Sequence, residues 1–142
     1  MSSSELIGIW SVDVMYGPGA QSDERIIFTE NGSGWLEFLN WDIIQVETFD
    51  WSLSSDNKLN IKGNEVYSMF DPTRSNSDLS LKNLTYLVEI KKTPSGKEMK
   101  TITFSDSVIL NDNEFGLEKP IVESNYLIDR LKMIEDGYKG NE

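Results

Sequence analysis

The 142-residue chain contains no cysteine and no histidine. Without cysteine there is no disulfide, no thiolate metal ligand and no thiol nucleophile. Without histidine, Ser-His-Asp and Cys-His catalysis, the usual zinc sites and histidine-ligated haem are excluded as well. Positive charge is also scarce: 13 Lys and Arg stand against 24 Asp and Glu, a net charge of −11. Such a surface repels phosphate backbones and anionic lipid headgroups, so neither nucleic acid nor a membrane is an expected partner. A basic protein partner is compatible with it, although solubility is the plainer account of the charge. The start of the chain, Met-Ser-Ser-Ser-Glu-Leu, lacks the basic region and apolar run of a signal peptide, and no later segment has the length of a membrane span. The expected location is cytoplasmic.

What the chain does have is aromatic and aliphatic side chains in alternating patterns. Four Trp, six Phe and five Tyr are spread along it, enough for one core in residues 1–142, with 1–4 and 135–142 expected to fray. Leu6, Gly8, Trp10, Val12 and Val14 alternate with Ser11 and Asp13, which predicts a half-buried strand to Tyr16. Gly17-Pro18-Gly19 ends it. A strand over 25–29 leads into Asn31-Gly32, a strong signal for a tight turn between antiparallel strands, and 35–40 is the return. Further strands are expected over 43–53, 58–62, 66–70, 83–92, 97–104 and 122–132, with breaks at Gly63-Asn64, Asp71 to Asp78 and Thr93-Pro94-Ser95-Gly96. A short strand is also expected near Val108-Ile109-Leu110, and a helical turn after Met133. Short strands at even spacing, without a convincing amphipathic helix, predict an all-β fold: an antiparallel up-and-down β-barrel or sandwich of about eight strands.

Leu6-Ile7-Gly8-Ile9-Trp10 resembles the Gly-x-Trp signature that opens the first strand of lipocalins, fatty-acid-binding proteins and related calycins. Ile26-Ile27-Phe28-Thr29, the Asn31-Gly32-Ser33-Gly34 turn, Phe49-Asp50-Trp51 and Leu59-Asn60-Ile61 follow in a pattern similar to bacterial lipocalin-like proteins. The resemblance implies a lipocalin-like barrel. It also implies that a basic residue on the closing strand stacks on the signature Trp, which makes Arg130, in Tyr126-Leu127-Ile128-Asp129-Arg130, the expected partner of Trp10. A guanidinium over an indole contributes roughly 0.5–2 kcal/mol. The leader, disulfide and Thr-Asp-Tyr type of motif found in secreted lipocalins are not evident, so no ligand class comes with the resemblance.

Three functions follow as expectations. The first is a non-enzymatic binding protein that holds a small hydrophobic or amphipathic ligand inside the barrel, against Val12, Val14, Phe28, Leu36, Phe38, Phe49, Trp51, Tyr86, Val88, Ile102, Phe104 and Tyr126. The same side chains either line a hollow or fill it, and sequence does not separate the two. The second is an acidic, surface-mediated inhibitor or immunity-like protein with a filled barrel, using residues such as Asp112, Glu114, Glu135 and Asp136 against a basic partner. An enzyme ranks below both, because alternation puts most of Glu37, Glu47 and Asp50 outside, on a solvated face. No cofactor and no metal are expected. The acidic stretches at Asp112-Asn113-Glu114 and Asp71 to Asp78 do not fit a calcium loop.

Overall fold

The computed structural model describes residues 5–16, 22–40, 43–68, 75–108 and 112–140. Ten antiparallel strands and one helix follow in order: β1 (Gly8–Ser11), β2 (Ser22–Phe28), β3 (Ser33–Asn40), β4 (Ile43–Leu53), β5 (Leu59–Ser68), β6 (Ser75–Asn76), β7 (Ser80–Leu84), β8 (Tyr86–Lys92), β9 (Glu98–Phe104), β10 (Glu114–Lys119) and α1 (Tyr126–Gly140). The sheet runs β6-β5-β4-β3-β2-β1-β10-β9-β8, with β7 added to β5. The all-β expectation therefore holds, while the expectation of about eight strands closed into a barrel is corrected. Among the described residues there are ten strands, and the ladder between them stays open between β6 and β8. The sheet nevertheless curls, because one buried cluster gathers Leu59, Ile61 and Leu84 from one end and Ile102, Phe104 and Phe115 from the other, around Trp10, Ile26, Phe28, Leu36 and Phe49.

Period-two alternation explains most of this. On β2, Ile26 and Phe28 turn to the inner cluster while Ile27 turns outward with Ile9, Trp35 and Val46. The Asn31-Gly32 turn forms as its residues dictate. Gly32 takes φ +83°, and Asn31 Oδ1 accepts from the Ser33 N–H at 3.1 Å. The indole of Trp51 then ties the turn to β4 by donating to the Ser33 carbonyl at 2.9 Å. Gly8 is required for two reasons. Its φ is +144°, and a Cβ there would lie 2.7 Å from the carbonyl of Lys119, which β10 pairs with Ile9 of β1.

Several boundaries differ from expectation. β1 stops at Ser11 and a 3-10 turn, Asp13–Met15, follows. The cause is Asp23 on β2: its Oδ1 accepts from the Asp13 N–H at 2.9 Å, drawing the backbone away from the ladder. Gly63 lies inside β5 and does not end it. Ser75–Asn76 pairs with Glu65 and Val66 as β6, so the expected loop supplies a strand, while 71–74 fall outside the described residues. Val108 is buried without being part of a strand, 109–111 fall outside the described residues, and the strand of that region is β10.

The largest correction is at 122–132, where a closing strand was expected and α1 forms. Tyr126, Leu127, Arg130, Leu131 and Ile134 recur at helical spacing. Tyr126, Leu127, Leu131 and Ile134 pack with the outward cluster of Ile9, Ile27, Trp35 and Val46. The Asp129 N–H donates to the Asn125 carbonyl at 3.0 Å, closing the first turn. Residues 135–140, expected to fray, continue the helix.

Trp10 is fully buried and its indole donates to the Leu6 carbonyl at 2.9 Å. Trp10→Ala is expected to lose about 3–5 kcal/mol of unfolding free energy. Urea denaturation checks this, and an unchanged midpoint would contradict the placement of the ring in the core.

Candidate functional site

The outward face of the sheet carries one row of paired residues across five strands: Ser11 on β1, Arg25 on β2, Glu37 on β3, Val46 on β4 and Tyr67 on β5. α1 lies over this row and turns its middle into a covered ion cluster. The Glu37 side chain has no exposed surface. Its Oε2 accepts from the Trp35 indole at 2.8 Å and lies 3.5 Å from Arg130 Nε. Its Oε1 has no hydrogen bond and lies 3.7 Å from Arg25 Nη1. The two guanidiniums both donate to the Tyr126 hydroxyl, Arg25 at 3.2 Å and Arg130 at 3.1 Å. Tyr126 stacks on Trp35 with ring centres 5.8 Å apart, and the Arg130 guanidinium sits 5.3 Å from the Tyr126 ring centre.

Arg25 also binds Asp23 at 2.9 Å and Glu118 at 3.0 Å. Burial works against its charge, but Glu118 and Asp23 outweigh that cost and hold its pKa above the ordinary arginine value. Arg25 is thereby fixed as a cation between the helix and the far end of β10.

That far end borders a cleft of about 430 Å³ lined by Asp13, Val14, Tyr16, Ser95, Lys97, Met99 and Glu118. The 3-10 turn forms one wall and the β8–β9 turn another, joined where the Ser95 N–H donates to the Met15 carbonyl at 2.9 Å. Gly116 lets the turn settle onto the sheet. A Cβ there would lie 2.7 Å from Met99 Sδ and 2.9 Å from both Met15 Cγ and Val14 Cγ1. Asp23 secures the same wall from below by accepting from the Ser11 hydroxyl, while Ser11 Oγ accepts from the Val14 N–H at 3.2 Å. Asp13 Oδ1 is buried without a hydrogen-bond partner. Loss of hydration, with the negative charge of Asp23 adding to it, raises the Asp13 pKa against the opposing pull of Arg25. A smaller depression of about 320 Å³ crosses β4, β5 and β7 beside Trp51, Ile61 and Leu81.

The expected ligand-lining residues separate into three places. Phe28, Leu36, Phe49, Ile102 and Phe104 are in the inner cluster, and Val12, Trp51, Tyr86 and Val88 pack against it. Phe28 meets Phe49 and Trp51 edge-on with centres at 5.8 and 5.5 Å, so side chains occupy this part of the interior. Phe38 is half-buried, two residues along β3 from Leu36. Val14 leaves the group for the cleft wall. Tyr126 leaves it for α1 on the opposite face of the sheet. The expected stacking of Arg130 on Trp10 is likewise corrected, since Arg130 contacts Tyr126 and Glu37 on the outer face while Trp10 belongs to the inner cluster.

Glu37, expected with its neighbours on a solvated face, is covered by α1, and no local pattern in the sequence marks Arg25, Glu118 or the cleft. No family model matches the chain, and no curated protein or solved structure shows significant similarity to it.

Glu37→Ala takes from Arg130 the carboxylate it faces, while Arg25 keeps Asp23 and Glu118, and is expected to cost roughly 3–5 kcal/mol in denaturant unfolding, with Glu37→Gln milder because its amide oxygen still accepts from Trp35. Equal stability of all three proteins would show that the cluster does not hold α1. As burial raises the pKa of Glu24 and Asp112 too, Asp13 is one source of pH dependence. Its folded pKa lies above the ordinary 3.8, so the native state binds its proton more tightly, and this residue's contribution falls as pH rises from that value through the folded pKa. Asp13→Asn is expected to raise Tm at pH 7, with the gain shrinking as pH falls through the folded pKa and gone below 3.8. A thermal scan at several pH values decides it, and a gain independent of pH would remove the titration from the account.

Proposed function

We propose that the protein is a non-enzymatic binding module for a small amphipathic molecule, seated in the cleft between the 3-10 turn and the β8–β9 turn. The observation that carries this reading is the mixed lining of that cleft: Val14, Met99 and Tyr16 give apolar surface, and Asp13, Glu118 and Lys97 place charge around it. Its volume of about 430 Å³ lies within the usual range of roughly 300–1,000 Å³ for ligand pockets. Glu118 is already paired with Arg25, so Asp13, whose Oδ1 has no hydrogen-bond partner, supplies the carboxylate that favours a ligand with a cationic head and an apolar body. Tyr16, 61% exposed, is an aromatic surface available to such a body.

This reading keeps the amphipathic ligand expected from sequence and moves it from the interior to the outer face, where the 3-10 turn and hairpin provide walls. The curled sheet serves as a rigid, lipocalin-like support, with barrel closure interrupted between β6 and β8. Ring contacts within the inner cluster favour a packed support over a ligand chamber.

Dansylcadaverine, a cationic amphipathic fluorophore, tests the proposal, with the anionic dansylglycine as its control. Saturable enhancement is expected with the first, at least tenfold weaker binding with the second, and a tenfold or greater loss in Met99→Lys. Binding that survives Met99→Lys but is lost in Phe49→Ala would return the site to the interior. No saturable binding of either dye would sink the reading.

A further inference from the structure

The net charge of −11 is not evenly distributed. Residues 86–104, the β8–β9 hairpin, hold four lysines against two glutamates, a local charge of +2. This basic hairpin also carries an open strand edge. β7 ends with Leu84 opposite Leu59, the first residue of β5, so β8 continues past the start of β5 and pairs only with β9 among the described strands. The pattern of bonds to β9 tells which groups face that edge. Ser105 N–H donates to Thr85 O at 2.8 Å and Thr93 N–H to Lys97 O at 3.0 Å. In the antiparallel register this assigns the odd-numbered residues of β8 to the ladder with β9. The N–H and C=O groups of Val88, Ile90 and Lys92 point the other way. The side chain of Ile90 is 70% exposed beside them, although Val88, two residues before it, packs against the core.

The charged groups around this edge are unequal. Lys91 is held by Glu114 on β10. Lys92 and Lys100 are exposed and share the face of Ile90, Lys100 directly opposite it and Lys92 two residues on. Two copies meeting edge to edge would bring two basic hairpins together, and lysines on an edge are a usual guard against that event.

We propose that β8 is a docking edge for an acidic, extended segment of another protein, which adds as an antiparallel strand with an apolar residue opposite Ile90 and a carboxylate opposite Lys92. Main-chain bonds to Val88, Ile90 and Lys92 supply the pairing, and Lys92 with Lys100 select the sign of the partner. The partner class is the reverse of the basic protein that the net charge suggests. This inference is independent of the cleft, which lies on the opposite face of the hairpin.

The test uses the full chain and a fluorescein-labelled peptide, Glu-Glu-Val-Thr-Val-Leu, in an anisotropy titration. Three comparisons follow: the same peptide with its first valine N-methylated, the peptide Lys-Lys-Val-Thr-Val-Leu, and the protein variants Ile90→Pro and Lys92→Glu with Lys100→Glu. Proline at 90 removes an N–H that makes no ladder bond, so the fold is expected to persist. Saturable binding of the acidic peptide is expected, at least tenfold weaker for the methylated and the basic peptides and for both variants, with dansylcadaverine binding unchanged in Ile90→Pro. Equal binding of the methylated peptide overturns strand addition without reliance on any variant. Equal binding of the basic peptide overturns the charge selection. A wild-type dimer that Ile90→Pro dissociates would assign the edge to a second copy and overturn the proposal, as would no binding of the acidic peptide.

Discussion

The covered carboxylate of Glu37 is the constraint on which the outer half of the structure depends. A carboxyl group without exposed surface is costly unless countercharges and donors surround it. Here they come from three separated parts of the chain: Arg25 on β2, Trp35 on β3 and Arg130 on α1. β2 and β3 are adjacent, so their residues meet through the sheet register alone. Arg130 is different, because it reaches Glu37 only if α1 docks. The ion cluster and the apolar contacts of Leu127, Leu131 and Ile134 therefore impose the same position on the helix from two kinds of force. Apolar burial supplies the larger share of attraction, while the pairing of Glu37 with Arg130 fixes which face of the helix is down.

The inner and outer faces divide the work of the fold. Inside, Phe28 meets Phe49 and Trp51 edge to face, and Phe104 meets Phe115, in the cluster that also holds Trp10. Outside, charge is concentrated at the row that begins at Ser11 and at the cleft beyond it. Asp23 belongs to both. It is salt-bridged to Arg25, and it accepts from the Asp13 backbone to set the 3-10 turn. A single aspartate thus decides where β1 ends and where the wall of the cleft begins.

Legibility from sequence followed the locality of the determinants. The Asn31-Gly32 turn and the strands around it were plain, since the positive φ and the alternating apolar residues are all within a few positions of one another. Gly63 does not break the strand because its role is nonlocal: a Cβ there would collide with the side chain of Ser77, where the chain from β6 to β7 runs alongside β5. β10 was missed because its apolar signal is short. Phe115 faces the inner cluster, and Gly116 next to it is required only because Met15, Val14 and Met99 crowd its outer side. The stretch from Tyr126 to Ile134 satisfies period two about as well as the helical period. What resolves it is the presence of Ile9, Ile27, Trp35 and Val46 as a second, outward apolar patch, and no single strand displays that patch on its own. The resemblance to calycins pointed to an arginine near the C-terminus as a partner of an aromatic residue. Such an arginine exists, but its ring is that of Tyr126, its carboxylate is Glu37, and it lies on the other face of the sheet from Trp10.

The cleft and the helix are connected through one guanidinium. Glu118 lines the cleft and accepts from Arg25 Nη2, while Nη1 of the same group donates to Tyr126 on α1 and lies near Glu37. A cation bound against Glu118 competes with Arg25 for that carboxylate. Arg25 then leans more on Asp23, Tyr126 and Glu37, all of which anchor either the 3-10 turn or the helix. Occupancy of the cleft and docking of α1 thus draw on the same charge, with the sheet between them holding Arg25 in place. The coupling is bounded by what Glu118 contributes to Arg25. Because the Glu118 side chain is 27% exposed, solvent screening keeps that contribution modest, on the order of 1 kcal/mol. A ligand of the kind proposed for the cleft would therefore tighten the helix contact without being required for it, because the apolar side of the helix is already buried against Ile27, Trp35 and Val46.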